Sequence, residues 1–123
     1  MIQLRSVLTP ADNSGAKRLR VLHVEGGGNR RYGSVGAVVT AVVDQAEPAS
    51  AVKDSEIVKA VIVRCRKEIR RADGTYVRFS DNAAVVIDPK TKDPLATRVF
   101  GPIAREVKDA GFAKIASLAS EVL

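Results

Sequence analysis

The stretch that decides the fold is residues 57–67, with the sequence IVKAVIVRCRK. Up to Val63 this stretch is largely apolar on both faces of an extended chain, whereas its second half turns to Arg64, Arg66 and Lys67. Apolar side chains favour burial and a run of cations favours solvent. We therefore expect a strand over residues 57–67 that begins inside the protein and ends by projecting from it.

The residues that follow favour a basic β-ribbon over about 66–80. The pair Asp73-Gly74 is a strong hairpin-turn signal between two β-prone flanks. Arg70, Arg71 and Arg78 interleave with the aromatic Tyr76 and Phe79 along these flanks. Such an element suits the groove or junction of a folded RNA, and the alternative is an edge hairpin protected by its charges.

The remaining pattern predicts strands at residues 4–9, 16–25, 35–46 and 83–87, separated by turn-rich connections. Two short helices are expected near the end, one beginning at Pro102 and ending at Gly111, and one over residues 112–119. Five or six short strands favour a closed barrel, which leaves no edge open to aggregation. The predicted fold class is mostly β: a small closed five-stranded barrel with a projecting ribbon and two short C-terminal helices.

The composition fits one domain, residues 1–123, with the barrel and ribbon in 1–100 and the helical part in 101–123. The 18 Val and 7 Ile against 7 Leu lean toward sheet. One Cys and one His exclude an internal disulfide and a Cys/His zinc site, and no cofactor is expected. The longest nearly apolar run, residues 35–43, is about half a membrane span, and the N-terminus lacks a cleavable signal. We expect a cytoplasmic protein without a membrane partner.

The net charge of +6 is concentrated in two segments. Residues 17–31 and 64–78 together carry +8, and the other 93 residues carry −2. Nine of the 11 bases in these segments are Arg, whose planar guanidinium matches phosphate and stacks on bases. A polyanion partner is therefore predicted, with a merely solubilising surface as the alternative.

Candidate RNA contacts come from three regions of the chain. Flexible Gly26-Gly27-Gly28 with its basic neighbours suits a loop moulded onto an RNA backbone, although an ordinary hairpin loop fits too. Only 2 Tyr and 3 Phe are present, which argues against a single-strand binder that stacks base after base. The predicted RNA-binding residues are Asn13, Ser14, Lys17, Arg18, Arg20, Arg30, Arg31, Tyr32, Arg64, Arg66, Lys67, Arg70, Arg71, Tyr76 and Arg78.

The sequence offers no catalytic constellation, so the protein is not expected to be an enzyme. His23 lies in an alternating strand without a partner, and Cys65 lies between two arginines without a second Cys or a basic His. The glycine loop is not followed by Gly-Lys-Ser/Thr and so is not a Walker sequence. Two rivals stay open: an adaptor that works through its C-terminal helices, and a small enzyme that uses Cys65 or His23.

Several motifs in order resemble one known family. Ala60-Val61-Ile62-Val63, nine residues, Asp73-Gly74, four residues, Phe79, two residues, Asn82, two residues and Val85-Val86 is similar to the signature of the fourteenth large-subunit ribosomal protein family, of the bacterial or organellar type. The resemblance spans essentially the whole chain, including residues 11–17, 97–102 and 117–123. Ala72 departs from it where a Lys is usual.

This resemblance implies a closed five-stranded barrel that binds large-subunit ribosomal RNA at the subunit interface. It also implies bridges to small-subunit RNA and neighbours in large-subunit proteins three and nineteen. The positions that match the docking surface of a ribosomal silencing factor are Thr97, Arg98, Lys114 and Ser117. The expected function is structural, as a constituent of the large subunit in the cytoplasmic ribosome.

Overall fold

The computed structural model describes residues 1–26, 31–48 and 50–123. Within these residues the chain forms nine strands and two helices. In chain order they are β1 Val7–Pro10, β2 Ala16–Val24, β3 Val38–Ala46, β4 Ile57–Arg64, β5 Ile69–Arg70, β6 Tyr76–Val77, β7 Ala83–Ile87, β8 Pro102–Ile103, α1 Arg105–Asp109, α2 Ala113–Leu118 and β9 Glu121–Val122.

Five of the strands close a barrel in the order β1-β2-β3-β4-β7, which confirms the predicted fold class. Neighbouring strands are antiparallel except for β1 and β7, which close the barrel in parallel with Thr9 opposite Ala83. The first strand, predicted over residues 4–9, spans Val7–Pro10, so Pro10 is its last residue and pairs with Ala84. A terminal position suits proline, since it has no N–H to donate to a ladder.

Strand β7 and residues 60–63 of β4 are buried on both faces because apolar clusters lie on either side of them, whereas Ile57 at the start of β4 is exposed, contrary to the expectation that this strand begins inside the protein. Ala60 and Ile62 of β4 point into the barrel, where they join the interior cluster. Val61 and Val63 point the other way into a second cluster, which includes Ile103 and other residues of the C-terminal part. The apolar residues on both faces of β4 are thus explained by a barrel with a helical cover on one side.

Strand β4 ends at Arg64, three residues earlier than predicted. The ladder stops because the backbone N–H of Arg66 donates to the side-chain Oδ1 of Asn82, at 2.9 Å, instead of to a strand. The ribbon then forms a separate two-stranded sheet of β5 and β6. Its turn is the predicted Asp73-Gly74, with Gly74 at a φ of 87°.

The alternation predicted for β2 is wrong after Val21. A bulge separates two consecutive pairs, Val21 with Ala41 and His23 with Thr40, so Leu22 is an extra residue. Leu22 and His23 are therefore both exposed, and Val24 returns to the interior. A bulge inserts one residue without a partner and reverses the side-chain faces that follow it.

The C-terminal part also differs from prediction at its start. Pro102 begins a strand rather than a helix, because β8 pairs in parallel with β9, Pro102 opposite Glu121. The first helix begins three residues later, at Arg105, and is followed by Gly111 at a φ of 101°. The second helix, predicted over residues 112–119, spans Ala113–Leu118; Phe112, which precedes it, and Ile115 within it are buried in the cluster beneath.

Candidate nucleic-acid interface

The ribbon presents one polar face to solvent. Arg70 pairs with Tyr76 across the two strands, and both side chains are exposed, whereas the neighbouring pair Ile69 and Val77 is half-buried. Paired residues share one face of a two-stranded sheet, so the cation and the ring lie together. Arg78, two residues after Tyr76, is also exposed. Neither arginine makes an ion pair with an acid of the described chain.

The turn of the ribbon is held by its own side chains. The Oδ1 atom of Asp73 accepts a hydrogen bond from the backbone N–H of Thr75 at 3.0 Å and another from its hydroxyl at 2.6 Å. These bonds hold the pKa of Asp73 below its ordinary value. The carboxylate thus stays charged and keeps the turn closed, which fixes the geometry of the arginines on both flanks.

Two predicted RNA ligands are instead paired within the protein. Arg64 is nearly buried, with 11% of its side chain exposed, and its guanidinium contacts Asp81 at 2.9 Å. The same group donates to the backbone oxygens of Phe100 and Pro102 at 2.7 and 3.1 Å. Arg64 therefore fastens the end of β4 to the C-terminal part. Arg71 is 18% exposed and pairs with Glu106 of α1 at 2.9 Å.

The outer face of β2 forms a second basic surface. Lys17, Arg18 and Arg20 are all exposed, and the two arginines share the carboxylate of Asp44, at 3.5 and 3.4 Å. One acid between two guanidiniums leaves a net positive charge at this surface. The pairs are solvent-exposed and hence weak. Competing phosphates can therefore displace them at small cost.

The loop after β2 is described in part. The prediction for Arg30 lies outside the described residues, whereas Arg31 and Tyr32 are both exposed next to β2. Together with Leu4 and Leu22 they line one concavity on the barrel surface. Beyond the end of β4, Arg66 and Lys67 are also exposed, and Lys67 contacts Glu68 at 3.4 Å.

The turn at residues 11–15 corrects one predicted contact. Ser14 is fully buried and its hydroxyl donates to Oδ1 of Asp12 at 2.7 Å, so its side chain does not reach the surface. Asn13 is exposed, but its side-chain oxygen accepts the backbone N–H groups of Thr97 and Arg98, each at 3.1 Å. Both residues therefore organise the protein's own loops.

The four residues predicted to meet a protein partner lie on α2 and on the loop before β8. Thr97 and Arg98 sit on the loop that Asn13 holds, and Lys114 and Ser117 lie three apart on α2, all exposed. Arg98 stacks over the ring of Phe100, 5.6 Å from its centre. Lys114 contacts Asp93 at 3.7 Å, which links α2 to the segment leading to Thr97.

Sequence reasoning missed the acids that decide which arginines are available. Asp81 and Glu106 lie 17 and 35 residues from the arginines they bind, too far for any local pattern to join them. It also missed the buried carboxylate of Asp12, whose pKa is raised by burial despite hydrogen bonds from Ser14 and Val86. The sequence signal for this buried acid was the position of Asp12 within a turn of small polar residues.

The described part of the chain contains no group of three or more side chains suited to a metal ion. Among the same residues, no helix is long and apolar enough to cross a membrane. Fold and surface together define a class: small basic β-barrel proteins that present exposed arginines on a rigid frame, as nucleic-acid-binding modules do.

Comparison with known proteins then specifies the family. The family described as Ribosomal protein L14p/L23e matches residues 1–123. The chain is similar to the large ribosomal subunit protein uL14 of Petrotoga mobilis (strain DSM 10674 / SJ95), with 60% identity over 122 residues and 99% of each chain covered. The chain belongs to this family, and it is a structural constituent of the large ribosomal subunit in the cytoplasm.

Proposed function

We propose that the protein binds large-subunit ribosomal RNA through its ribbon and through the outer face of β2, and that it contributes to bridges with small-subunit RNA. The observation that carries this proposal is the exposed polar face of the ribbon. There Arg70 and Arg78 flank Tyr76, and neither guanidinium is within ion-pair distance of an acid in the described chain; Glu68 acts on Arg78 only at longer range. Guanidiniums bind phosphate in pairs of hydrogen bonds, and the ring stacks on an unpaired base.

The proposed mechanism is passive. Cations on two separate surfaces neutralise phosphates of different RNA segments and hold those segments in register. The rigid barrel between the surfaces sets the distance between the segments. The two binding surfaces contain Lys17, Arg18, Arg20, Arg31, Tyr32, Arg66, Lys67, Arg70, Tyr76 and Arg78.

The protein partners belong to the same proposal. Exposed Thr97, Arg98, Lys114 and Ser117 offer hydrogen bonds and charge from a loop and a helix that Asp93 links. We propose that this surface binds a ribosomal silencing factor. We also propose that the protein contacts large-subunit proteins three and nineteen as its neighbours. Both assignments rest on family membership.

A catalytic role is not favoured by the described residues. Cys65 is completely buried in the barrel interior, where no substrate reaches its thiol. His23 is exposed on β2, and the nearby carboxylate of Glu25 already accepts hydrogen bonds from Thr40 and Lys59. A protein-interaction adaptor would need no exposed arginines on the ribbon. Nuclease treatment of native complexes distinguishes the two functions, because an adaptor would keep its protein partners after the RNA is removed.

The proposal is tested by the salt dependence of binding to a large-subunit rRNA transcript. If about six phosphates are neutralised, log affinity falls with log salt at a slope of about −4 to −5. Arg70→Ala with Arg78→Ala is expected to weaken binding and to reduce the slope by about 2. The control removes two exposed lysines elsewhere, Lys53→Ala with Lys90→Ala. A slope near zero for the unaltered protein, or equal effects of both double variants, would contradict the proposal.

A further inference from the structure

Arg71 differs from the other ribbon arginines in where its side chain goes. Its Nη2 donates to Oε1 of Glu106 at 2.9 Å, and its Nε lies 3.5 Å from Oε2 of the same carboxylate. The exposed fractions of the two side chains are 18% and 28%, so solvent reaches this pair less than any other ion pair on the ribbon. Two parallel contacts between a guanidinium and a carboxylate fix direction as well as distance.

The ribbon itself is too short to hold its own position. Its sheet consists of two residue pairs, Ile69 with Val77 and Arg70 with Tyr76. Two further backbone bonds close the turn, from the N–H of Arg71 to Thr75 and from that of Gly74 to Arg71. A two-stranded hairpin of this size is marginal in water without outside support.

Glu106 provides that support from a fixed element. The next residue, Val107, is completely buried beneath the helix, and Ala104 before α1 donates its N–H to Val63 of β4 at 3.1 Å. The backbone oxygen of Glu106 also lies close to Gly36, where an added Cβ would approach it to 3.0 Å. The carboxylate is therefore carried by a helix packed against the barrel.

We infer that Arg71 is a positioning residue: its ion pair with Glu106 fixes the ribbon against α1, and so holds Arg70, Tyr76 and Arg78 in the arrangement that binds RNA. This inference rests on the proposed RNA binding by the ribbon and refines it. The contribution of Arg71 then comes through Glu106 and not through a phosphate.

Arg71 could act by positioning the ribbon or by attracting RNA through its charge. Removing its partner Glu106 gives opposite results for these two roles. A carboxylate repels RNA, so long-range electrostatics alone predict that Glu106→Ala tightens binding. The same substitution releases the ribbon, and if Arg71 is a positioning residue the affinity falls. We expect a fall of about two- to fivefold, the range set by one modest ion pair that selects a conformation. The salt slope stays unchanged, because no phosphate contact is removed.

The test measures binding to a large-subunit rRNA transcript for the full chain carrying Glu106→Ala. The matched control is Asp109→Ala, which removes the same charge from the same helix at an exposed residue that makes no ion pair in the described chain. Amide hydrogen exchange provides the second readout. Glu106→Ala should speed exchange at Arg71 and Gly74 while that of β4 and β7 stays unchanged.

A charge exchange distinguishes the two roles again. Arg71→Glu and Glu106→Arg should each weaken binding, and the double variant should recover most of the affinity because the pair is restored in reverse. Unchanged or tighter binding by Glu106→Ala, or a double variant no better than Arg71→Glu alone, would overturn the inference and leave the proposed function standing. Failure of the unaltered protein to bind the transcript would overturn the proposed function and this inference with it.

Discussion

Asp12 is a buried carboxylate whose replacement should be costly. Strand β1 ends at Pro10, and beyond it the backbone N–H of Val86 in β7 donates to Oδ2 of Asp12 at 3.0 Å. The other oxygen, Oδ1, accepts the hydroxyl of Ser14 at 2.7 Å and its backbone N–H at 3.3 Å. The side chain thus continues the ladder where the strand has stopped and closes the turn that leads into β2.

Asp12→Ala removes the acceptor from two well-placed donors inside the protein. Ser14 and Val86 are completely buried, so water does not replace the lost partner in the native state. Each unsatisfied buried donor costs about 1–3 kcal/mol, and we expect a loss of about 2–4 kcal/mol in the free energy of unfolding. For a domain of this size, each kcal/mol lowers Tm by about 3–5 °C.

Asp12→Asn also replaces one acceptor oxygen with an NH2 donor, so it tests the charge only through the pH dependence of its stability. Burial raises the pKa of Asp12 above its ordinary value of 3.8 and outweighs the hydrogen bonds from Ser14 and Val86. The folded state therefore binds more protons than the unfolded state above pH 3.8, and stability falls as pH rises through the folded pKa. The asparagine at this position does not titrate, so the unaltered protein should lose stability relative to Asp12→Asn as pH rises from about 4.

Urea denaturation followed by circular dichroism between pH 4 and 7 measures both effects. Asp109→Ala is the control for Asp12→Ala, because it replaces an exposed carboxylate and should change the free energy of unfolding by less than about 0.5 kcal/mol. A cost near that of the control would refute the reasoning on the hydrogen bonds. If the free energy of unfolding of the unaltered protein rose relative to that of Asp12→Asn as pH rises, the reasoning on the charge would be refuted.

Two further predictions concern Gly101, which packs against Arg64, and the thiol of Cys65. Gly101→Ala should cost more than Gly74→Ala in urea denaturation: both glycines have positive φ, but a Cβ at Gly101 would lie 2.6 Å from Nη1 of Arg64, whereas nothing lies within 4 Å at Gly74. Equal costs would show that Arg64 moves aside without loss. Cys65 should react with a thiol reagent only as fast as the protein opens, because its side chain is completely buried. Rapid labelling under native conditions would contradict this burial.

Elements with a strong periodic pattern were predictable from the sequence. Strand β7 has the predicted bounds, Ala83–Ile87, because five consecutive apolar residues between turn signals leave little choice. The turn of the ribbon was equally clear, since Asp-Gly favours a hairpin whatever surrounds it. The closed barrel followed from the number of short strands and the need to cover their edges.

Features that depend on distant partners were not predictable. The bulge at Leu22 exists because β2 pairs with β3 in two registers, and no residue in β2 alone signals the change. Strands β8 and β9 have two residues each, so neither carries a period to detect. Ser14 was assigned to the surface for its hydroxyl, yet that hydroxyl is used by a buried acid two residues earlier.

The same reasoning explains why charge density identified the basic segments but not which of their residues are available to bind RNA as proposed. An arginine is available for phosphate only if no acid of the fold holds it in a largely buried ion pair; the exposed pairs of Arg18 and Arg20 with Asp44 are weak enough to be displaced. Arg64 is held by Asp81 and Arg71 by Glu106, whereas Arg70, next to Arg71 in sequence, faces solvent. Arg70 is the last residue of β5 and Arg71 follows it, so the alternation of an extended chain sends these neighbours to opposite sides, Arg71 toward α1 and Arg70 away from it. The pairing of β5 with β6 and the ion pair of Arg71 with Glu106 set the direction of each side chain. Arg71 therefore holds the ribbon in place, whereas Arg70 is free to bind a phosphate.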